Sequence, residues 1–163
     1  LNNPDINSAE YFYGTSEFTD DQTALFTEYY DKHCISDIIL YDGIKEMLES
    51  LEDHFILTVA TNASKEFAVK MIEYLKIDKH FELIVGATCV KKSKPYPDMI
   101  HKTLNDLNVH NNNAILIGDS HKDQRAASAA NIDSILVNWG FTNHKENDAV
   151  TDTISLHNML LQL

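Results

Sequence analysis

Five polar positions in this chain have side chains suited to binding phosphate or a hard cation, and each follows a short apolar run. Thr61 and Asn62 follow the run 55–60, a loop with Lys94 follows 81–85, and Asp119 follows 114–117, with Asp123 four residues on. A hydroxyl and the N–H groups that open a following helix suit a phosphate oxyanion. A lysine held in place neutralises charge that develops in phosphoryl transfer. One or two carboxylates suit Mg²⁺, which completes its shell with water and phosphate oxygens. Each residue also has a plain structural reading. Thr61 and Asn62 can serve a turn and a cap, Lys94 can be a solvated loop lysine, and Asp119 and Asp123 can favour the start of the next helix through its dipole. The chain order is what is specific: threonine, lysine, then Gly-Asp-x-x-x-Asp, each after its own apolar run. Pro95 and Pro97 restrict the backbone around Lys94, whereas Lys91 and Lys92 read as surface charge.

The elements that would position these residues alternate in period. Apolar residues at Ile44, Met47, Leu48 and Leu51 follow helical spacing, and Asp20 to His33 reads as an earlier helix with Asp20 as N-cap. The run 55–60 then reads as a strand buried on both faces. A helix over 64–76, a strand over 81–85, a helix over 97–108, a strand over 114–117, a helix over 123–130, a strand over 134–137 and a last amphipathic segment over 154–163 complete the reading. This alternation predicts an α/β fold, a doubly wound parallel sheet whose ligands bind beyond the carboxyl ends of the strands. A candidate boundary near 36–42 divides residues 1–38 from an α/β core over 39–163.

Composition narrows the function. The 163 residues carry a net charge of −12. Residues 1–53 hold 13 acids and two lysines, net −11, while 54–163 are close to neutral. An acidic front repels a polyphosphate backbone, so nucleic acid is not an expected partner. No apolar run is long enough to cross a membrane as a helix. Cys34 and Cys89 form no CxxC pair, which points to a reducing compartment, and a cytoplasmic location is expected. The eight histidines lack H-x-x-x-H spacing, so zinc is not expected.

The residues 57–62 (Leu-Thr-Val-Ala-Thr-Asn), Lys94-Pro95-Tyr96-Pro97-Asp98 and 117–123 (Ile-Gly-Asp-Ser-His-Lys-Asp) together resemble three motifs of the haloacid dehalogenase superfamily, in its phosphoglycolate-phosphatase-like branch with a helical cap. Tyr41-Asp42-Gly43-Ile44 and Asn138-Trp139-Gly140-Phe141 add supporting matches. The resemblance implies a HAD-like Rossmannoid core with a partial helical cap, of which residues 1–38 would be a remnant. It implies a Mg²⁺-dependent phosphatase that takes small phosphorylated metabolites through an aspartyl phosphate. Thr61 and Asn62 would hold the phosphate, and Lys94 would stabilise its charge. Asp119 would bind Mg²⁺, and Asp123 would act in the metal's outer shell or orient Lys94. A monomer or homodimer is expected.

The family's first motif, Asp-x-Asp-x-Thr, has no counterpart here. Asp5 and Asp20-Asp21 follow no apolar run that could be its strand. That motif ends the central strand in the family, between the strands ending at Thr61 and Gly118. Two half-sheets facing each other with unpaired N–H and C=O groups would cost about 1–3 kcal/mol per buried group, against a net stability of about 5–15 kcal/mol. The expectation is therefore that this strand and its nucleophile lie upstream of Leu1 or come from another chain. Alternative readings are a catalytically inactive HAD-like binding or scaffold protein, a 2-haloacid dehalogenase and a sugar phosphomutase of the same fold. Gly118-Asp119 followed by Asp123 favours the metal enzyme over the dehalogenase.

Overall fold

The structure, a computed structural model of the chain, describes residues 19–36, 38–139 and 149–163. Asp5, with residues 1–18 of the expected cap remnant over 1–38, and the match at Gly140-Phe141 lie outside these residues.

Helix α1 runs Asp20–His33. Its N-cap is Thr19, not Asp20: the Thr19 hydroxyl accepts from the Gln22 N–H at 3.3 Å, and the Gln22 side chain accepts from the Thr19 N–H at 2.9 Å. This reciprocal pair satisfies two N–H groups that the helix cannot. No α1 residue is buried. The helix rests on the rest of the chain through Tyr30 against Phe67, ring centroids 4.8 Å apart, and through Asp31, which is 2.9 Å from Lys70 Nζ.

Helix α2, Ile44–Leu51, starts at Gly43, whose φ of 78° lies in the left-handed region. An added Cβ there would also fall 2.6 Å from Thr153 Oγ1, so both backbone and space require glycine. The chain then alternates as read: β1 Thr58–Ala60, α3 Lys65–Tyr74, β2 Leu83–Val85, α4 Asp98–Leu107, β3 Ile115–Gly118, α5 His121–Ala129, β4 Asp133–Leu136 and α6 Thr153–Leu160. None of the described helices is long and apolar enough to cross a membrane.

Among the described residues the strands form two parallel pairs, β1 with β2 and β3 with β4, and the pairs are not hydrogen-bonded to each other. Each pair is a βαβ unit, with α3 connecting the first and α5 the second. The helices hold the units together. Ile100 of α4 joins Ala126, Ala127 and Ala130 of the second unit, with Leu116 of β3 packed against them, while α4 also contacts β1 and β2. On another side, Leu51, Leu156 and Leu160 of α2 and α6 collect Leu57 from one unit and Ile115 and Ile135 from the other.

The expectation of strands buried on both faces needs correction. All three β1 residues are only half-buried, Ile56 just before it is 62% exposed, and Ile117 in β3 is 39% exposed. Continuous apolar runs mark strands that neighbours cover fully, and the described elements cover these incompletely.

Candidate functional site

Within each pair the strands run parallel, so the first residues after them fall at the same end of that pair. Thr61 continues β1, its N–H donating to Val85 O at 3.0 Å. Its hydroxyl accepts from the Ala63 N–H at 3.2 Å, a bond that uses an oxygen lone pair and not the hydroxyl hydrogen. The turn leads into α3 through Ser64, whose hydroxyl accepts from the Phe67 N–H at 3.3 Å. Thr88, after β2, links to this helix start: its hydroxyl accepts from the Lys65 N–H and donates to Glu66 Oε2 at 3.3 Å. The Glu66 carboxylate is held below its usual range by its own backbone N–H first and by Ser64 next.

Lys94 reaches this edge from the loop before α4. The loop is organised by its own bonds, from the Tyr96 N–H to Ser93 O at 3.0 Å and from the Lys92 N–H to Asp98 Oδ2 at 3.2 Å. Lys92 Nζ lies 4.5 Å from the centre of the Tyr96 ring. Lys94 Nζ donates to Ala60 O at 2.7 Å and to Asp123 Oδ1 at 2.6 Å. One ammonium thus joins the end of β1 to the start of α5, across the two βαβ units. The pair is well shielded, with side-chain exposures of 13% and 8%. In such a place an ion pair is screened little by solvent, and losing one partner strands the other.

Asp123 is held from both oxygens. Oδ1 takes Lys94, and Oδ2 accepts from the Ser120 N–H at 3.1 Å and from the Ser120 hydroxyl. Ser120 is the N-cap of α5, and Asp123 completes a capping box with it. These bonds describe a carboxylate that orients Lys94; Asp119, the residue after β3, is half-buried. Among the described residues no three His, Cys, Asp or Glu side chains cluster as a metal site.

Asn62 lies beside Lys94 at this edge. Its side chain is occupied by the backbone of Lys94: Nδ2 donates to Lys94 O at 2.9 Å and Oδ1 accepts from the Lys94 N–H at 3.0 Å.

Two residues of the 117–123 motif have structural roles that the sequence reading did not assign. Ser120 carries a readable signal, the Ser-x-x-Asp spacing to Asp123. Gly118 is required because a Cβ on it would lie 2.3 Å from Asp123 Cβ, where the carboxylate folds back over the strand end.

The family model for haloacid dehalogenase-like hydrolases matches residues 1–137. A phosphoglycolate phosphatase from Colwellia psychrerythraea is 36% identical over 124 residues, covering 76% of this chain and 55% of that protein. A pyrophosphatase PpaX from Listeria monocytogenes is 30% identical over 121 residues, covering 74% of this chain and 56% of that one. The chain thus spans about half the length of these curated relatives. The crystal structure of a "predicted phosphatase" from Clostridium acetobutylicum superposes with a TM-score of 0.78 at 30% identity, covering 96% of this chain and 76% of that one. Motif order, parallel βαβ units and these matches agree: the chain belongs to the haloacid dehalogenase-like hydrolase family.

Proposed function

We propose that the chain supplies the phosphate- and cation-handling residues of a Mg²⁺-dependent phosphatase acting on small phosphomonoesters. The observation that carries this reading is the shielded Lys94–Asp123 pair, whose ammonium also donates to Ala60 O, the residue before Thr61. The names of the relatives, phosphoglycolate phosphatase and pyrophosphatase, support the same chemical class.

In this reading the Thr61 hydroxyl hydrogen and the N–H groups opening α3 receive phosphate oxygens. Lys94, already aimed by Ala60 O and Asp123, meets the negative charge on the transferring group without having to reorganise. The donor chemistry fits magnesium: the Asp119 carboxylate offers an oxygen ligand, and this cation takes one or two carboxylates and completes its shell with water and phosphate oxygens. When bound, Mg²⁺ would supply charge neutralisation to the phosphate oxygens. The nucleophile would be an aspartate on the strand that the family resemblance implies between β1 and β3. Its carboxylate oxygen attacks phosphorus, the ester oxygen leaves, and water then hydrolyses the aspartyl phosphate.

Phosphate release by the intact protein from p-nitrophenyl phosphate and from phosphoglycolate, with Mg²⁺ and with EDTA, tests this. Turnover that needs Mg²⁺ and is lost in Asp119→Ala is the expected result. Turnover that survives EDTA, or is unchanged in Asp119→Ala, overturns it.

A further inference from the structure

We infer that the Asn62 side chain positions Lys94 rather than gripping phosphate. The inference rests on the phosphatase reading for its catalytic meaning, but its geometry stands without it.

The two residues are 32 positions apart and are joined twice, by Asn62 Nδ2 to Lys94 O and by the Lys94 N–H to Asn62 Oδ1. The amide presents a donor to the carbonyl and an acceptor to the N–H of one residue. Only one amide orientation satisfies both, since the flipped amide would set donor against donor and acceptor against acceptor. A single bond would let the loop swivel about it, whereas two bonds to one residue fix its direction. The Lys94 side chain then spans from this anchored backbone to Ala60 O and Asp123 Oδ1. Asn62 directly follows Thr61, so the clamp ties the lysine's backbone to the same turn that presents the hydroxyl. The bonds are exposed to solvent, where such bonds add little to stability. Their effect is to place the ammonium.

Two variants, Asn62→Ala and Asn62→Asp, are compared in the intact protein, with Lys94→Ala as reference and with the double variant Asn62→Ala/Lys94→Ala. Aspartate keeps the acceptor for the Lys94 N–H and loses the donor. Kinetics on p-nitrophenyl phosphate should show kcat falling about 10–100-fold in Asn62→Ala with KM changed less than about threefold, the pattern of a lost transition-state contact. Asn62→Asp should fall between it and wild type. In the Lys94→Ala background the same substitution should have no further effect on kcat, since the two act through one group. A rise in KM that persists without Lys94 would make Asn62 a phosphate ligand and overturn the inference. A lower melting temperature with kcat of the folded protein unchanged would make the clamp merely structural and overturn it too.

A second readout needs no activity. The rate at which Lys94 is acetylated by acetic anhydride, followed by peptide mass spectrometry, should rise several-fold in Asn62→Ala. If the wild type proves inactive but this rate rises, the phosphatase reading falls and the clamp remains. If the wild type is active and neither kcat nor the Lys94 rate moves, the clamp falls and the phosphatase reading remains.

Discussion

Gly118 and Asp123 approach so closely that a methyl group added to the glycine would lie 2.3 Å from Asp123 Cβ and 2.4 Å from its carboxylate carbon. The carboxylate folds back from α5 over the last residue of the preceding strand, β3, and from there it meets Lys94. Gly118→Ala should therefore push Asp123 outward and break its bond to Lys94. We expect a loss of about 1–3 kcal/mol, the range for forced overpacking, measured by urea denaturation. A variant with unchanged midpoint would show that α5 shifts freely to make room.

Asp123→Ala leaves the Lys94 ammonium shielded and without its anion. Breaking a buried pair from one side costs about 3–5 kcal/mol, and the residual exposure here places the expected loss near the lower end. Lys94→Met/Asp123→Leu removes both charges and should recover most of that stability while remaining inactive. Denaturation midpoints and phosphate release, measured side by side, separate the two effects. A double variant no more stable than Asp123→Ala would contradict this account of the pair.

If Asp119 holds Mg²⁺, the ion should stabilise the folded protein by linkage, about 2.7 kcal/mol at a concentration 100 times its Kd. The wild type should show a melting temperature that climbs with added Mg²⁺. In Asp119→Ala the fold should persist and the climb should vanish. An undiminished climb would place the cation elsewhere.

Asp152 caps α6, accepting from the Ser155 N–H at 2.8 Å and from the Ser155 hydroxyl at 2.8 Å. The backbone N–H first, then the hydroxyl, hold its carboxyl below the usual range. The unfolded state then takes up the proton more readily than the folded one. The contribution of this cap is present above the ordinary carboxylate range and is lost as pH falls through the lowered folded value. Asp152→Asn should keep the capping geometry and flatten the acid side of the stability curve relative to wild type. Guanidinium midpoints from pH 6 down to pH 3 read the difference; parallel curves would refute it.

Leu156, only 1% exposed, sits where α2 and α6 meet residues from both βαβ units. Leu156→Ala should cost about 2–5 kcal/mol through lost burial and the cavity left behind. A loss under about 1 kcal/mol would mean the helices collapse into the space.

The sequence made the order and type of the described elements legible, because apolar spacing changes from helical to continuous where each strand begins. It placed Thr61, Lys94, Asp119 and Asp123 at element ends for the same reason. The cap of α1 was misassigned although its signal, Thr19 with Gln22 three residues on, is local and readable. The exposure of Ile56 and Ile117 was not readable. An apolar run states what environment a strand suits, while its actual cover depends on which elements lie beside it. The Asn62 side-chain clamp was not readable either. Its residue type fits a phosphate contact, a turn or a clamp, and the choice is made by Lys94, far away in the chain and adjacent only once the loop has folded.

The division into two strand pairs has a kinetic consequence. Thr61 and Asn62 belong to the first βαβ unit, Asp119 and Asp123 to the second, and Lys94 to the connection between them. Each unit closes over a short stretch of sequence and can form early. The Lys94–Asp123 contact exists only after the units dock, so the site should mature as the final event of folding. Pulse-labelled amide exchange should protect β1 to β4 before the N–H groups of Ser120 and Lys94, and the reverse order would exclude this sequence of events.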